Sequence, residues 1–240
     1  MHPIYLDYNA TTPVAPEVLE AMLPCLRDAF GNPSSQHAFG APAREVVASA
    51  RADVARLIGA SSEEIVFTSG GTEATNHALK GLAVRALDER SPRRQIVVSA
   101  IEHPATLETA HALTRFGFTV AVLPVDRYGV LKLDPLAHAL RTPTLVVSLM
   151  HANNETGTLQ PLEAASQQAP RAGALCHVDA AQSAGKVPVD VDALGADLLT
   201  LAGHKLYAPK GIGVLYVRNG LTLEPFIHGA GQESGRRATS

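Results

Sequence analysis

The feature that most constrains this chain is an alternation of short, continuous apolar runs with longer segments of helical periodicity, which begins near residue 40. The runs are rich in β-branched residues, as in Thr144–Met150, and they do not alternate between apolar and polar residues. Strands of this kind are buried on both faces, as in parallel sheets that helices cover. The sequence therefore predicts an α/β fold with a mostly parallel sheet and helices on both faces.

The order of the predicted elements supports this fold. Helices are expected at residues 41–59, 72–87, 105–115, 133–140 and 162–172. Strands are expected at residues 64–68, 95–99, 119–123, 144–150, 174–178, 197–201 and 211–217, with the last strand antiparallel to the one before it. Residues 1–40 differ, because prolines interrupt them and leave one helix near residues 16–30. We expect an N-terminal arm at residues 1–40 and a large domain at residues 41–240.

Composition disfavours several classes of function. The chain has 20 basic and 23 acidic residues, a net charge of -3, 5% aromatic residues and no tryptophan. These values disfavour a nucleic-acid binder that uses a basic or stacking surface. No apolar stretch approaches the ~18 residues that span a bilayer, and the N-terminus lacks a signal-peptide pattern. We therefore expect a cytoplasmic protein without a nucleic-acid or membrane partner.

Polar residues that do not suit a core follow five of the predicted strands. They are Ser69-Gly70-Gly71-Thr72-Glu73, Glu102-His103, His151-Ala152-Asn153-Asn154-Glu155, Asp179 with Gln182, and Gly203-His204-Lys205. Each group alone has an ordinary explanation as a helix cap, a turn or a solvated side chain. In open α/β sheets, however, ligands bind beyond the carboxyl ends of the strands, so the joint placement favours a ligand site.

The residue types in this set fit pyridoxal 5′-phosphate. A Gly-Gly-Thr turn at a helix N-terminus suits a phosphate, whereas the loop matches neither the P-loop nor the dinucleotide pattern. A carboxylate can keep the pyridine nitrogen protonated, an imidazole can stack on the ring, and a lysine can hold the cofactor as a Schiff base. We therefore predict pyridoxal 5′-phosphate as the cofactor. We predict no metal site, because the two cysteines, Cys25 and Cys176, lack a metal-binding spacing.

The same segments resemble a known family. The chain is similar to the N-terminal and central part of cysteine desulfurases of the NifS/IscS type, which are class V, fold-type I pyridoxal-phosphate enzymes. The similarity covers essentially all 240 residues, and it rests on residues 5–13, 31–37, 67–76, 102–103, 153–157, 177–182 and 203–205.

The resemblance implies a role for each residue around the cofactor ring. Lys205 forms the bond to the cofactor and later moves the α-proton. Asp179 pairs with the pyridine nitrogen, and His103 stacks on the ring and is catalytic with Lys205. Gln182 binds the phenolic oxygen, and Asn154 binds that oxygen or the amine side of the substrate. The segment near residues 9–11 would border the substrate.

The resemblance also implies a phosphate site. Gly71, Thr72 and His204 would bind the phosphate, and Ser240, where the family has threonine, would reach the phosphate of the partner subunit. The family usually has a hydroxyl residue two positions before the His-Lys pair, but this chain has Ala202 there. One hydrogen bond to the phosphate, worth about 1.5–3 kcal/mol when charge-assisted, is therefore expected to be lost.

The implied activity is the conversion of L-cysteine to L-alanine, with sulfur passed on as a persulfide for iron–sulfur cluster or thio-cofactor assembly. A homodimer and a sulfur-acceptor or scaffold protein are implied partners. The alternatives are a selenocysteine lyase, an aminotransferase for a small amino acid, or an inactive cofactor-binding fragment. In family members the sulfur-accepting cysteine and the arginine that binds the substrate carboxylate lie in a small C-terminal domain. We expect this domain to be absent from this chain, and neither Cys25 nor Cys176 matches the catalytic cysteine.

Overall fold

A computed structural model describes residues 3–239 and contains a seven-stranded mixed sheet. Its strands are β1 (Ile65–Thr68), β2 (Gln95–Ser99), β3 (Thr119–Leu123), β4 (Thr144–Met150), β5 (Leu175–Asp179), β6 (Leu198–Ala202) and β7 (Gly213–Val217). The strand order across the sheet is β1-β7-β6-β5-β4-β2-β3. All neighbours from β3 to β6 are parallel, and β7 is antiparallel to both β6 and β1. The antiparallel last strand agrees with the sequence prediction.

Helices connect the strands. In the described part of the chain they are α1 (Pro16–Arg27), α2 (Gly40–Leu57), α3 (Gly71–Asp88), α4 (Pro104–Leu113), α5 (Leu133–Ala139) and α6 (Leu162–Gln168). The predicted helices at residues 105–115 and 162–172 are shorter than expected, and each is followed by a 3-10 turn. Gly117 and Gly173 end these turns with positive φ angles of 84° and 70°. The left-handed conformation stops each helix before the next strand.

The sheet separates two hydrophobic cores. On one face, α3 and α4 pack on side chains such as Ile96 and Val98. On the other face, α5, α6 and the end of α2 pack on side chains such as Val97 and Val147. Neighbouring residues of β2 therefore contribute to opposite cores, which explains why the strand is apolar throughout. The predicted fold class is confirmed.

The N-terminal residues lie outside these two cores. Helix α1 has no buried residue. The segment before it is attached by main-chain hydrogen bonds, from Thr12 to the carbonyl of His204 (2.9 Å) and from Ala15 to that of Tyr207 (3.0 Å). The division into an arm and a large domain stays a prediction. Among the residues described, no helix is both long enough and apolar enough to cross a membrane.

Candidate active site

Eight of the nine predicted cofactor-binding residues line one cavity of about 770 Å³. They are Gly71, Thr72, His103, Asn154, Asp179, Gln182, His204 and Lys205. The ninth, Ser240, lies outside the described residues. The cavity lies where β1, β2, β4, β5 and β6 end, because these strands run in the same direction and their carboxyl ends meet at one edge. The structure thus brings the residues together, while their individual roles stay predictions.

The glycine-rich loop between β1 and α3 forms one end of the cavity. Helix α3 begins at Gly71, and no side chain caps it at Gly70. The first N–H groups of an 18-residue helix point away from its body and, with the helix dipole, attract an anion. A Cβ atom on Gly71 would lie 3.2 Å from the Cβ of Ala202, so the helix approaches β6 closely. Ala202 lines the cavity without a hydroxyl donor.

Glu73 holds this loop in place. Its carboxylate accepts hydrogen bonds from the Ser69 N–H (3.0 Å), the Ser69 hydroxyl and the Arg237 Nε (2.7 Å). Burial alone would raise the pKa of Glu73, but the hydrogen bonds from Arg237 and Ser69 hold it below its ordinary value. An ionised carboxylate therefore joins the C-terminal segment of the described chain to the loop.

Asp179 ends β5 in the middle of the cavity. Its Oδ1 accepts the N–H of Ala181 at 3.0 Å, and no described residue donates to its Oδ2. Burial raises the pKa of Asp179, against the lowering effects of the Ala181 N–H, His103 and Lys205. A cationic N–H donor at Oδ2 would stabilise the ionised form. The protonated nitrogen of a pyridine ring is such a donor, so this carboxyl fits the predicted cofactor.

Lys205 follows β6 in a 3-10 turn over Gly203–Lys205. Its Nζ donates hydrogen bonds to the carbonyls of Asn9 and Ala10, the latter at 2.8 Å. Burial and the charge of Lys186 lower the pKa of Lys205, although three carboxylates nearby oppose the shift. A lowered pKa increases the fraction of neutral amine, which is the form that attacks an aldehyde.

The N-terminal arm contacts three further residues of the predicted cofactor site. Gln182 Nε2 donates to the carbonyl of Asn9 at 2.8 Å, and Asn9 Nδ2 donates to the carbonyl of Asn154 at 3.2 Å. His204 Nδ1 lies 3.1 Å from the hydroxyl of Thr11. The sequence predicted that residues 9–11 border the substrate, and the structure places Asn9 in the lining of the cavity.

His103 is the first residue before α4, and its ring lines the cavity. Its Nδ1 accepts the N–H of Ala105 at 3.0 Å, so the ring proton of the neutral imidazole lies on Nε2. This contact fixes the ring at the helix N-terminus. The ring is solvent-exposed, which leaves a flat surface available for stacking.

The neighbouring Glu102 is buried, and it has no role in the site predicted from the sequence. Its Oε1 accepts hydrogen bonds from the Ser99 hydroxyl (2.5 Å) and the Met150 N–H (3.0 Å), whereas its buried Oε2 has no partner in the described chain. Burial, with a contribution from Asp179, raises the pKa of Glu102 to about 8. At neutral pH the group is therefore mostly a neutral carboxylic acid that links the ends of β2 and β4.

Gly213 is a second residue that sequence reasoning missed. The strand β7 enters the sheet beside the glycine-rich loop, and a Cβ atom on Gly213 would lie 2.4 Å from the carbonyl carbon of Gly70. Only a residue without a side chain allows the loop to cross at this distance. The available signal was a glycine inside a strand, which often marks a close approach of another backbone.

The fold and this cavity define a class of α/β protein whose site, with a lysine, a carboxyl group and a helix N-terminus, fits a phosphate-bearing cofactor. A model of the family "Aminotransferase class-V" matches residues 4–235, and the chain belongs to this family. Pyridoxal 5′-phosphate, the cofactor predicted from the sequence, is confirmed by this membership. The resemblance to the NifS/IscS type is also confirmed, by curated relatives and by solved structures.

The curated relatives agree with the family. The chain is 49% identical over 235 residues to "Cysteine desulfurase IscS" of Dictyoglomus turgidum, which covers 98% of this chain and 59% of the relative. It is 46% identical to "Cysteine desulfurase IscS" of Methanosarcina thermophila, over 98% of this chain and 57% of the relative. The chain thus spans less than two thirds of the length of these relatives.

Among solved structures, a "NIFS-LIKE PROTEIN" superimposes with a TM-score of 0.94 at 41% identity, over 99% of this chain and 65% of that chain. "SspA in complex with cysteine" superimposes with a TM-score of 0.93 at 42% identity, over 98% of this chain and 68% of that chain.

We predict that Gly213→Ala weakens cofactor binding by about tenfold or more, because the added methyl group meets backbone that must shift with Gly70. The control is Gly117→Ala, where φ is 84° but no atom lies within 4 Å of the new Cβ. This control should lower stability by about 1–3 kcal/mol through backbone strain and leave affinity unchanged. Titration with pyridoxal phosphate and urea unfolding measure both effects. Unchanged affinity in Gly213→Ala would contradict the role of this contact.

Glu102 predicts a dependence of stability on pH. The unfolded carboxyl ionises near 4.5, whereas the folded carboxyl keeps its proton until about 8. The free energy of unfolding should therefore fall as the pH rises through this window, by at most about 1.4 kcal/mol per pH unit from this group. Glu102→Gln, which is neutral throughout, should flatten the slope measured by urea unfolding, while Glu63→Gln at an exposed position should not. An equal slope in Glu102→Gln and the wild type would refute the raised pKa.

Proposed function

We propose that this chain is the cofactor-binding part of a cysteine desulfurase, which removes sulfur from L-cysteine and leaves L-alanine. The observation that carries the proposal is the placement of Lys205, Asp179 and the Gly71–Thr72 loop in one cavity. The names of the relatives, and the similar structure of SspA in complex with cysteine, support this substrate.

Each of the main residues of the cavity has a separate role in the proposed reaction. When bound, pyridoxal phosphate supplies a ring that withdraws electrons from the α-carbon of an attached amino acid. The Asp179 carboxylate holds a proton on the ring nitrogen, and Lys205 Nζ, as a neutral amine, accepts the proton of the α-carbon. The N-terminus of α3 binds the phosphate. The His103 ring covers one face of the bound ring and excludes water from it.

Among the described residues, the cavity lining contains no thiol to accept the sulfur. Both cysteines of the chain lie outside this lining: Cys25 is on α1, and Cys176 is buried in β5. Burial raises the pKa of Cys176 to about 12, which removes the thiolate that attacks sulfur. The proposed reaction therefore requires a thiol from outside the cavity lining.

We also propose a homodimer that delivers sulfur to an acceptor or scaffold protein for iron–sulfur cluster assembly. Exposed large apolar side chains at the N-terminal side support a partner surface there. Ile4 and Leu6 are each 84% exposed, and Phe30 is 68% exposed. Phe30 lies beside the exposed Phe39, with ring centroids 6.1 Å apart, and neighbouring exposed apolar side chains of this kind are typical of surfaces that another chain covers.

The first test concerns the lysine. We expect the protein with pyridoxal phosphate to show an absorption band at longer wavelength than the protein without it. Borohydride should fix the cofactor on Lys205, and peptide mass analysis should locate it there. Lys205→Ala should lose the fixed adduct, because burial favours the reactive neutral amine at this residue. Lys210→Ala is the matched control, since Lys210 also lines the cavity, and it should keep the adduct. An adduct that persists in Lys205→Ala would refute the assignment.

The second test concerns the substrate. The cofactor-loaded protein should exchange the α-proton of L-cysteine for deuterium in heavy water, followed by NMR, and with an added thiol it should form alanine. Lys205→Ala should slow the exchange by about 10²–10⁴-fold, the usual contribution of a positioned acid–base group. A keto acid in place of alanine would favour an aminotransferase, and faster turnover of selenocysteine would favour a lyase. Cofactor binding without any exchange would favour an inactive fragment.

A further inference from the structure

A network of buried hydrogen bonds runs across neighbouring strands of the sheet next to the cavity. Ser148 Oγ on β4 lies 2.7 Å from His177 Nδ1 on β5. His177 Nε2 lies 3.0 Å from Thr200 Oγ1 on β6, and Thr200 Oγ1 lies 3.3 Å from Thr75 Oγ1 on α3. The four side chains thus connect three neighbouring strands to the helix that begins at the glycine-rich loop.

These polar groups occupy core positions. Ser148 is fully buried, and His177, Thr200 and Thr75 are each 1% exposed. Burial lowers the pKa of His177 to about 4, so its ring is neutral and donates with one nitrogen while accepting with the other. Apolar side chains of similar size would fill the same space without the desolvation cost of four polar groups. The contribution of this hydrogen-bond network is therefore geometric, since a fully hydrogen-bonded buried network fixes one arrangement of its side chains.

The hydrogen-bond network connects the two ends of the proposed cofactor site. His177 lies two residues before Asp179 on the same face of β5, and Thr200 is paired with Asp179 in the register of β5 and β6. At the other end, Thr75 lies one turn after Gly71 in α3 and lines the cavity.

Binding of the cofactor requires a fixed distance between these two ends. Its ring nitrogen and its phosphate belong to one small molecule, so Asp179 and the start of α3 must lie at a fixed separation. Backbone hydrogen bonds fix β5 against β6, but a helix shares no such ladder with a sheet. Apolar contacts between α3 and the sheet are not directional. The hydrogen bond between Thr200 and Thr75 is directional.

We propose that Ser148, His177, Thr200 and Thr75 form a positioning network, which holds the phosphate-binding start of α3 at the distance from Asp179 that the cofactor requires. This inference rests on the proposed cofactor site. It assigns no contact with the cofactor to His177 or Thr200, which act through Asp179 and α3.

The protein offers a matched control at the other end of the sheet. Thr144, at the start of β4, is also fully buried, and its hydroxyl accepts a hydrogen bond from Gln95 Nε2 at 2.8 Å. Thr144→Val and Thr200→Val remove the same group from the same kind of environment. A merely structural role for Thr200 predicts that the two variants behave alike.

The test compares cofactor affinity with stability in these two variants. We expect both to lower the urea midpoint, whereas Thr200→Val alone raises the Kd for pyridoxal phosphate, by roughly five- to tenfold. His177→Gln, which keeps one donor and one acceptor, should bind more tightly than His177→Phe. Without cofactor, hydrogen exchange at residues 71–75 should be faster in Thr200→Val than in Thr144→Val.

Equal Kd values for Thr200→Val and the wild type, or equal losses of affinity in both threonine variants, would overturn the positioning role. Unchanged hydrogen exchange at the start of α3 would do the same without any cofactor. A wild-type protein that failed to bind pyridoxal phosphate would overturn the proposed function, and this result is distinct because it appears before any variant is compared.

Discussion

The site depends on a constraint of the sheet: strands that are buried on both faces have no room for chemistry along their length. Five strands run in one direction and end at the cavity, so their polar residues gather at a single edge. The reversed strand β7 begins at that edge instead, and its first residue, Gly213, makes room for the glycine-rich loop. Among the strands that reach the cavity, the direction of the strand thus decides whether it supplies a functional side chain or a close backbone contact.

The charge pattern of the cavity follows from burial. Two carboxyls close together resist ionising at the same time, and here burial and mutual repulsion raise the pKa of Glu102 to about 8. A neutral Glu102 places no second negative charge beside Asp179, whose carboxylate would pair with a cationic ring in the proposed site. The same burial lowers the pKa of Lys205 and favours its neutral amine. Burial therefore keeps Glu102 neutral and favours the neutral amine of Lys205, whereas the ionised form of Asp179 depends on the Ala181 N–H and on the positive charges of His103 and Lys205.

The sequence predicted the fold class and the strands at residues 95–99, 119–123 and 144–150 with the bounds that the structure shows, because continuous apolar runs mark buried strands. It also predicted which side chains share the cavity, since strand ends determine that. It did not predict the contact of Gly213 with Gly70, which depends on the order of the strands and on the register of β7. Apolar periodicity carries no information about either.

The two faces of the sheet are not equivalent. On the face of α5 and α6, the central strands present apolar residues such as Val147, Val178 and Leu199. On the face of α3, the alternate positions carry Ser148, His177 and Thr200. The desolvation cost of these groups falls only on the face that supports the phosphate-binding helix. An apolar layer would stabilise both faces equally, so the position of the polar layer is best explained by a requirement for fixed geometry beside the cavity.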